Sequence, residues 1–211
     1  YLKMDYISPV LIFSLSILFW RLFIILGKNY ALDIPNNRKQ HKSKIPQIGG
    51  LIFGLIILLI AWLFKLAPDW YLIGGLVTII LGATDDRIDV PWGIKIVVQL
   101  ILLFYIYSIF ADSFLNLSFY NYTFSLPSPV LFLVFLFWFI GIYNAINLLD
   151  GLDGLAGGIT VLMCIGFAFS GTFNSNLLNL ILIILLIGFM VFNQRPAKIF
   201  MGDAGSLFLG F

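Results

Sequence analysis

The chain contains no glutamate: all ten of its acidic residues are Asp, against twelve Lys and Arg. It has one cysteine and one histidine, and 10% of its 211 residues are charged. Each shortage excludes something. A single cysteine, Cys164, builds no disulfide framework. A single histidine, His41, with no cysteine to help it, builds no zinc site. So small a charged fraction, against roughly 25% in soluble domains, excludes an ordinary water-soluble fold. The first apolar run is expected to be a retained span rather than a cleaved leader, and with no internal repeat or low-complexity linker evident a single domain over residues 1–211, incomplete at its C-terminal end, is expected.

What is present is apolar. The chain is 61% hydrophobic, with mean hydropathy +1.05. A membrane-crossing helix needs about 20 mostly apolar residues. Runs of that character lie near Pro9–Leu26, Gly49–Leu66, Tyr71–Ala83, Trp92–Phe110, Val130–Tyr143, Ala156–Gly171 and Leu177–Phe192, and another begins near Ala204. The expected fold is therefore all-α, a polytopic transmembrane bundle of about seven to eight spans. Arg21 interrupts the first run and either snorkels to an interface or faces the interior. Residues 111–129 read as a plain loop.

The charges alternate by loop. One set of loops holds Lys28, Arg38, Lys39, Lys42, Lys44, Arg87, Lys95, Arg195 and Lys198; the other holds Lys3 and Lys65. Positive residues favour the cytoplasmic side, which puts the N-terminus outside and the first set within, as expected of a multi-pass protein of the plasma (inner) membrane. Six of the ten aspartates form three compact motifs in that same set, at the edges of apolar runs. A carboxylate there is costly without a cation, a partner or a water-filled cavity.

Three motifs carry these acids. The first is Gly82-Ala-Thr-Asp-Asp-Arg-Ile-Asp89, followed by Lys95. If the helix continues, Asp89 shares a face with Asp85 and Asp86, and adjacent carboxylates favour a cation or proton between them. A helix cap with a surface ion pair is the plainer reading. Lys95 either offers a point charge to phosphate oxygens or anchors at the interface. The second motif places Asn144, Asn147, Asp150 and Asp153 three residues apart, on a helix end that breaks at Gly151 and Gly154. Asn and Asp supply the hard oxygens that suit Mg²⁺, whereas a lone Asp-Gly pair is merely a turn. The third is Phe200-Met-Gly-Asp-Ala-Gly-Ser206, where Gly202, Asp203 and Ser206 open a helix whose free N–H groups attract anions. Upstream, the basic loop Asn36–Gly50 either sets topology or meets phosphates through His41, Lys42 and Lys44.

Together these segments resemble the polyprenyl-phosphate N-acetylhexosamine-1-phosphate transferase family. That resemblance implies Mg²⁺-dependent transfer of a sugar-1-phosphate from a UDP-N-acetylhexosamine to a polyprenyl phosphate in the lipid bilayer, with release of UMP; Mn²⁺ is an alternative ion. By the same resemblance, Asp85 and Asp86 are the paired aspartates that handle the lipid phosphate or its proton, and Lys95 stands near the phosphates. Asn147 and Asp203 are metal ligands, while Asp153 and Phe200 belong to the uridine pocket. His41, Lys42, Asp89, Asn144, Asp150, Gly202 and Ser206 complete the expected substrate-binding set. Asp89 and His41–Gly50 resemble the subgroup that uses UDP-GlcNAc. The phospho-MurNAc-pentapeptide branch is the alternative, and an ion-coupled transporter is the alternative from another class. No nucleic-acid partner is expected, and self-association as a homodimer is left open. Members of the family continue past the point matched by Phe211, so a fragment with low activity of its own is expected.

Overall fold

The computed structural model describes residues 9–28, 31–33, 44–110, 116–119, 122–125, 127–170 and 176–211. Among them the fold is all-α apart from two short strand pairs. The helices are α1 (Pro9–Leu26), α2 (Gly49–Leu63), α3 (Asp69–Ile88), α4 (Trp92–Phe110), α5 (Ser128–Leu149), α6 (Leu155–Ser170), α7 (Asn176–Asn193) and α8 (Asp203–Gly210). They follow the apolar runs because each run is long enough to satisfy its backbone internally, and most are closed by a Gly, Pro or Asp at or near their ends. Two of them, α4 with 19 residues and α5 with 22, are long and apolar enough to cross a membrane, at mean hydropathy 2.0 and 2.1.

α3 runs further than its apolar stretch. It continues through Asp85 and Asp86 to Ile88, and Asp89 then leaves it in a left-handed conformation at φ 48°. The face shared by Asp85, Asp86 and Asp89 is thus broken at its last member, which is exposed. Arg21 is also exposed, which decides in favour of the outer face of α1. Within residues 111–129 the structure shows a hairpin, Asn116–Phe119 (β3) against Tyr122–Ser125 (β4), with Leu117 opposite Phe124. Phe119 in the first segment and Tyr122, Thr123 and Phe124 in the second favour the extended chain.

α8 is the centre of the bundle. Its eight residues are nearly all buried against α2, α3 and α5. Phe208 enters the larger core cluster with Trp20, Phe53, Ile57 and Phe189, and Leu207 enters the second with Leu103, Phe139 and Tyr143. Small residues permit this. A side-chain carbon on Gly50 would collide with the backbone of Gly205, and one on Gly82 with that of Ala204. Close backbone approach through small residues is the usual way for apolar helices to pack without a polar driving force. α1 is tied to α7 by the Trp20 indole N–H, which donates to the Leu185 carbonyl at 2.9 Å.

The segment before α8 is stitched to the start of α2. Strand β2 (Ile45–Pro46) pairs with β1 (Leu32–Asp33), and Phe200 N–H donates to Pro46 O at 2.9 Å. Gly49 and Gly50 N–H donate to Phe200 and Met201 carbonyls at 3.0 and 2.7 Å. The free donors at the start of α2 are thereby used, and the third motif is held beside the end of the basic loop.

Candidate active site

The site forms where the ends of α3, α5 and α7 meet the starts of α4, α6 and α8. Asp85 is buried, 7% exposed. Its Oδ1 accepts the Val90 N–H at 2.7 Å, which turns the chain back after α3, and its Oδ2 pairs with the Lys95 ammonium in the first turn of α4. Lys95 Nζ also reaches Asp203 Oδ2 at 3.4 Å. The other oxygen of Asp203 accepts an N–H from Asn147 at 3.0 Å. Asn147 Nδ2 donates in addition to Ser206 Oγ at 2.9 Å, and that hydroxyl donates to Gly202 O at 3.2 Å. With its Nδ2 engaged twice, Asn147 keeps its carbonyl oxygen as an acceptor. Residues from all three motifs thus converge on Asp203.

Asp86 is used differently. Its carboxylate accepts the N–H groups of Asp203 and Ala204 at 2.8 and 3.1 Å, so it caps α8 from a neighbouring helix. An acid at a helix start satisfies orphan donors and meets the favourable end of the helix dipole. Gly202 precedes α8 at φ 75° and ψ 169°, a backbone region almost reserved for glycine.

The chain after α5 turns through Asp150 and Asp153. Asp153 lies 3.4 Å from the largely exposed Arg195 guanidinium. Gly154, at φ 77°, donates its N–H to Asn193 Oδ1 at 2.7 Å, and Asn193 Nδ2 donates to Ile199 O at 3.0 Å. The buried Asn193 therefore joins the second motif to the third. Asp150 and Asp203 both lie outside the long apolar stretches. Burial and the carboxyl of Asp85 push Asp203 up to about 6, against the Asn147 hydrogen bond and the Lys95 charge. Burial, then the charges of Asp203 and Asp86, hold Asp150 well above the usual carboxylate range.

The expected residues are therefore not all in one place. Asp85, Asp86, Lys95, Asn147, Asp203 and Ser206 form one connected network, Gly202 shapes its turn, and Asp150 adds its charge. Asn144 lies one turn away, donating to Gln99 Oε1 at 2.9 Å and to Ile140 O at 2.8 Å. Phe200 is half-buried in the segment leading to α8, Asp89 is exposed beyond α3, and Asp153 faces Arg195. His41 and Lys42 fall outside the described residues. Two contributors were missed, Gln99 and Asn193. Gln99 is a lone amide within an apolar run and Asn193 an amide that closes one, and that was the available signal.

Among the described residues no group of three or more His, Cys, Asp or Glu is arranged to hold a metal. An apolar groove of about 420 Å³ opens between α3 and α4, lined by Ile80, Thr84, Pro91 and Ile94 among others. Thr84 and Ile94 are the sequence neighbours of Asp85 and Lys95, which places the groove beside the network.

Comparison with known proteins gives the same direction. The chain is 35% identical over 195 residues to the "Probable undecaprenyl-phosphate N-acetylglucosaminyl 1-phosphate transferase" of Bacillus subtilis, covering 86% of this chain and 53% of that one. It is 32% identical over 241 residues to a phospho-N-acetylmuramoyl-pentapeptide-transferase of Streptococcus thermophilus, covering 99% and 70%. A protein of the same name from Lactobacillus helveticus is 36% identical over 193 residues, covering 81% and 60%. The chain thus spans about half the length of the first of these relatives. With residues 70–211 also matching the family as a whole, the chain belongs to glycosyl transferase family 4.

Proposed function

We propose that this chain carries the catalytic centre of a membrane enzyme that moves N-acetylhexosamine-1-phosphate, GlcNAc-1-phosphate in particular, from a UDP-sugar to a polyprenyl phosphate. The observation that carries this reading is the joint hold on Asp203 by Asn147 and Lys95, with Asp85 on the same ammonium. Paired acids, a lysine and an amide oxygen at one end of an apolar bundle suit a diphosphate neutralised by a cation. Several helices crossing the plasma membrane, with this end in the cytoplasm, belong to the same proposal. They rest on the apolar runs and the loop charges.

The residues present fit Mg²⁺. This ion is commonly held by one or two carboxylates with substrate phosphates and water rather than by an all-protein cage, which agrees with the lack of a three-ligand cluster among the described residues. Asp203 and the amide oxygen of Asn147 would hold it, and Mn²⁺ would find the same hard oxygens. Bound there, it supplies Lewis-acid neutralisation of the diphosphate. The protein's own share is positioning and charge, which dominate phosphoryl transfer. Lys95 offers its ammonium to phosphate oxygens. Asp86 and Gly202 fix the first turn of α8, and so the direction of Asp203. An oxygen of the lipid phosphate attacks the phosphorus bearing the sugar, the bond from that phosphorus to the UMP oxygen breaks, and UMP leaves. Asp85 either takes the proton of the lipid phosphate or attacks first to give a carboxyl-phosphosugar intermediate. A trapped adduct on Asp85 would assign the second course. The groove between α3 and α4 suits the polyprenyl chain, because its lining is apolar and includes Thr84 and Ile94, the sequence neighbours of Asp85 and Lys95.

The GlcNAc reading rests on the resemblance of Asp89 and the His41–Gly50 loop. The relatives named phospho-N-acetylmuramoyl-pentapeptide-transferase favour UDP-MurNAc-pentapeptide as the second reading. The relatives given above are named transferases, which leaves a transporter without support. The test is UMP release from each UDP-sugar by the full-length protein and by its Asp203→Asn variant. We expect release from UDP-GlcNAc and a loss of at least about 100-fold in the variant. Unchanged release would remove Asp203 from the site, and release from UDP-MurNAc-pentapeptide alone would transfer the assignment to the second reading.

A further inference from the structure

Gln99 is fully buried in the middle of α4, and one residue accounts for its polar atoms. Its Nε2 donates to Asn144 Oδ1 at 3.2 Å, and its Oε1 accepts from Asn144 Nδ2 at 2.9 Å. The result is a reciprocal amide pair between α4 and α5. On α4, Gln99 lies four residues after Lys95. On α5, Asn144 lies three before Asn147. Both spacings keep the members of each helix on one face. The pair therefore sits one turn from the point where Lys95 and Asn147 both contact Asp203.

At its far end α4 is tied to α5 by the Tyr107 hydroxyl, which donates to Ser128 O at 3.3 Å, and by Phe104 and Tyr107 against Phe132; nearer the site the amide pair is its tie to α5. Its buried residues are Gln99, Leu102, Leu103 and Ile106, all in the second half or at its edge. Its first turn is open: Trp92 is 80% exposed, and a side chain at Gly93 would meet nothing within 4 Å. Apolar contacts between helices tolerate sliding, whereas paired amides lose their hydrogen bonds when either helix moves. A buried polar pair is known to specify register for this reason.

We infer that Gln99 is a positioning residue of this site: its amide pair with Asn144 sets α4 against α5 and so places the Lys95 ammonium between Asp85 and Asp203. The inference rests on the phosphosugar-transfer reading for its kinetic consequence, and on geometry alone for the placement. The experiment uses the full-length protein. Gln99→Leu orphans Asn144 Oδ1 and leaves Asn144 Nδ2 only the Ile140 carbonyl, so both Tm and kcat are expected to fall, kcat by about 10- to 100-fold. Adding Asn144→Leu removes both polar partners, so Tm should return towards the wild-type value while kcat stays at least about tenfold low. The exchange Gln99→Asn with Asn144→Gln keeps paired amides of the same total reach, and kcat should recover to within about threefold. A kcat that follows Tm through the whole series, or a Gln99→Leu kcat within about twofold of wild type, overturns the inference.

The placement is read separately from activity. With any native cysteine replaced by serine, Lys95→Cys and Asp203→Cys should be bridged by a bifunctional thiol reagent about as long as the lysine side chain they replace, since a direct disulfide needs closer β-carbons, and Gln99→Leu should slow the bridging about tenfold. Equal rates overturn the placement. A wild-type protein that transfers no sugar phosphate overturns the reaction assigned above, and leaves the cross-linking result to decide the role of Gln99.

Discussion

Gly202→Ala is the most searching single change. Gly202 sits at φ 75° and ψ 169° immediately before α8. An L side chain in that region costs about 1–3 kcal/mol. A β-carbon there would lie 2.7 Å from Asp86 Oδ2 and 2.9 Å from Oδ1. Ordinary contact needs about 3.5 Å, so the carboxylate would have to retreat by roughly 0.8 Å. Its hydrogen bonds to Asp203 and Ala204 N–H, now 2.8 and 3.1 Å, would stretch past the usual limit of about 3.2 Å. Losing the cap costs about 1 kcal/mol more, for a total of about 2–4 kcal/mol. Thermal unfolding of the full-length protein should fall by roughly 5–15 °C. The first residue of α8 is Asp203, so the same shift should lower UMP release about 100-fold. The mechanism makes a sharper demand. Once Gly202→Ala has displaced the Asp86 carboxylate, adding Asp86→Ala should cost little more, because both changes remove the same cap. Gly166→Ala, where nothing lies within 4 Å, is the control and should leave Tm unchanged or slightly higher. Strictly additive losses in the double variant, or a Gly202→Ala protein with wild-type Tm and activity, would refute the reasoning.

Three other outcomes are expected. Lys95→Met leaves Asp85 and Asp203 facing one another without their shared cation, and should abolish measurable transfer while UDP-sugar binding, followed by calorimetry, weakens less. Asn193→Leu orphans the Gly154 N–H and the Ile199 carbonyl, each worth about 1–3 kcal/mol when buried unpaired; Tm should drop, and proteolysis near Gly154 should quicken. Asp203 is raised from an ordinary value near 3.8 to about 6 in the folded state, so the folded state holds its proton more tightly than the unfolded chain. Its contribution to stability is present at low pH and lost as pH rises from about 4 to about 6. In EDTA, Asp203→Asn should therefore gain in Tm relative to wild type across that interval, and a flat difference would contradict the shift.

Much of this molecule was legible in its order of residues. Apolar runs, their breaks at Gly, Pro and Asp, and the crowding of acids at those breaks located the helices, to the residue for Pro9–Leu26 and Trp92–Phe110, while the runs Tyr71–Ala83 and Val130–Tyr143 stopped short of helices that continue to Ile88 and Leu149. They also marked Asp85, Lys95, Asn147 and Asp203, because hydrophobic period and helix-stop signals are local properties of the chain. What a polar side chain pairs with is not local. Asp86, read as a partner of Asp85 at the phosphates, caps a helix 117 residues further on. Gln99 pairs across 45 residues and Asn193 across 39, and neither has a sequence pattern that names its partner. The eighth apolar run opens with a buried helix whose place depends on Gly50, Gly82 and Gly205 letting three backbones approach, which no local pattern foretold. Sequence determined which segments are helical and where charge gathers, since those follow from each residue's own chemistry and that of its neighbours along the chain. Tertiary packing alone decided which carboxylate faces the lysine and which caps a helix, because that depends on how the bundle brings distant helix ends together.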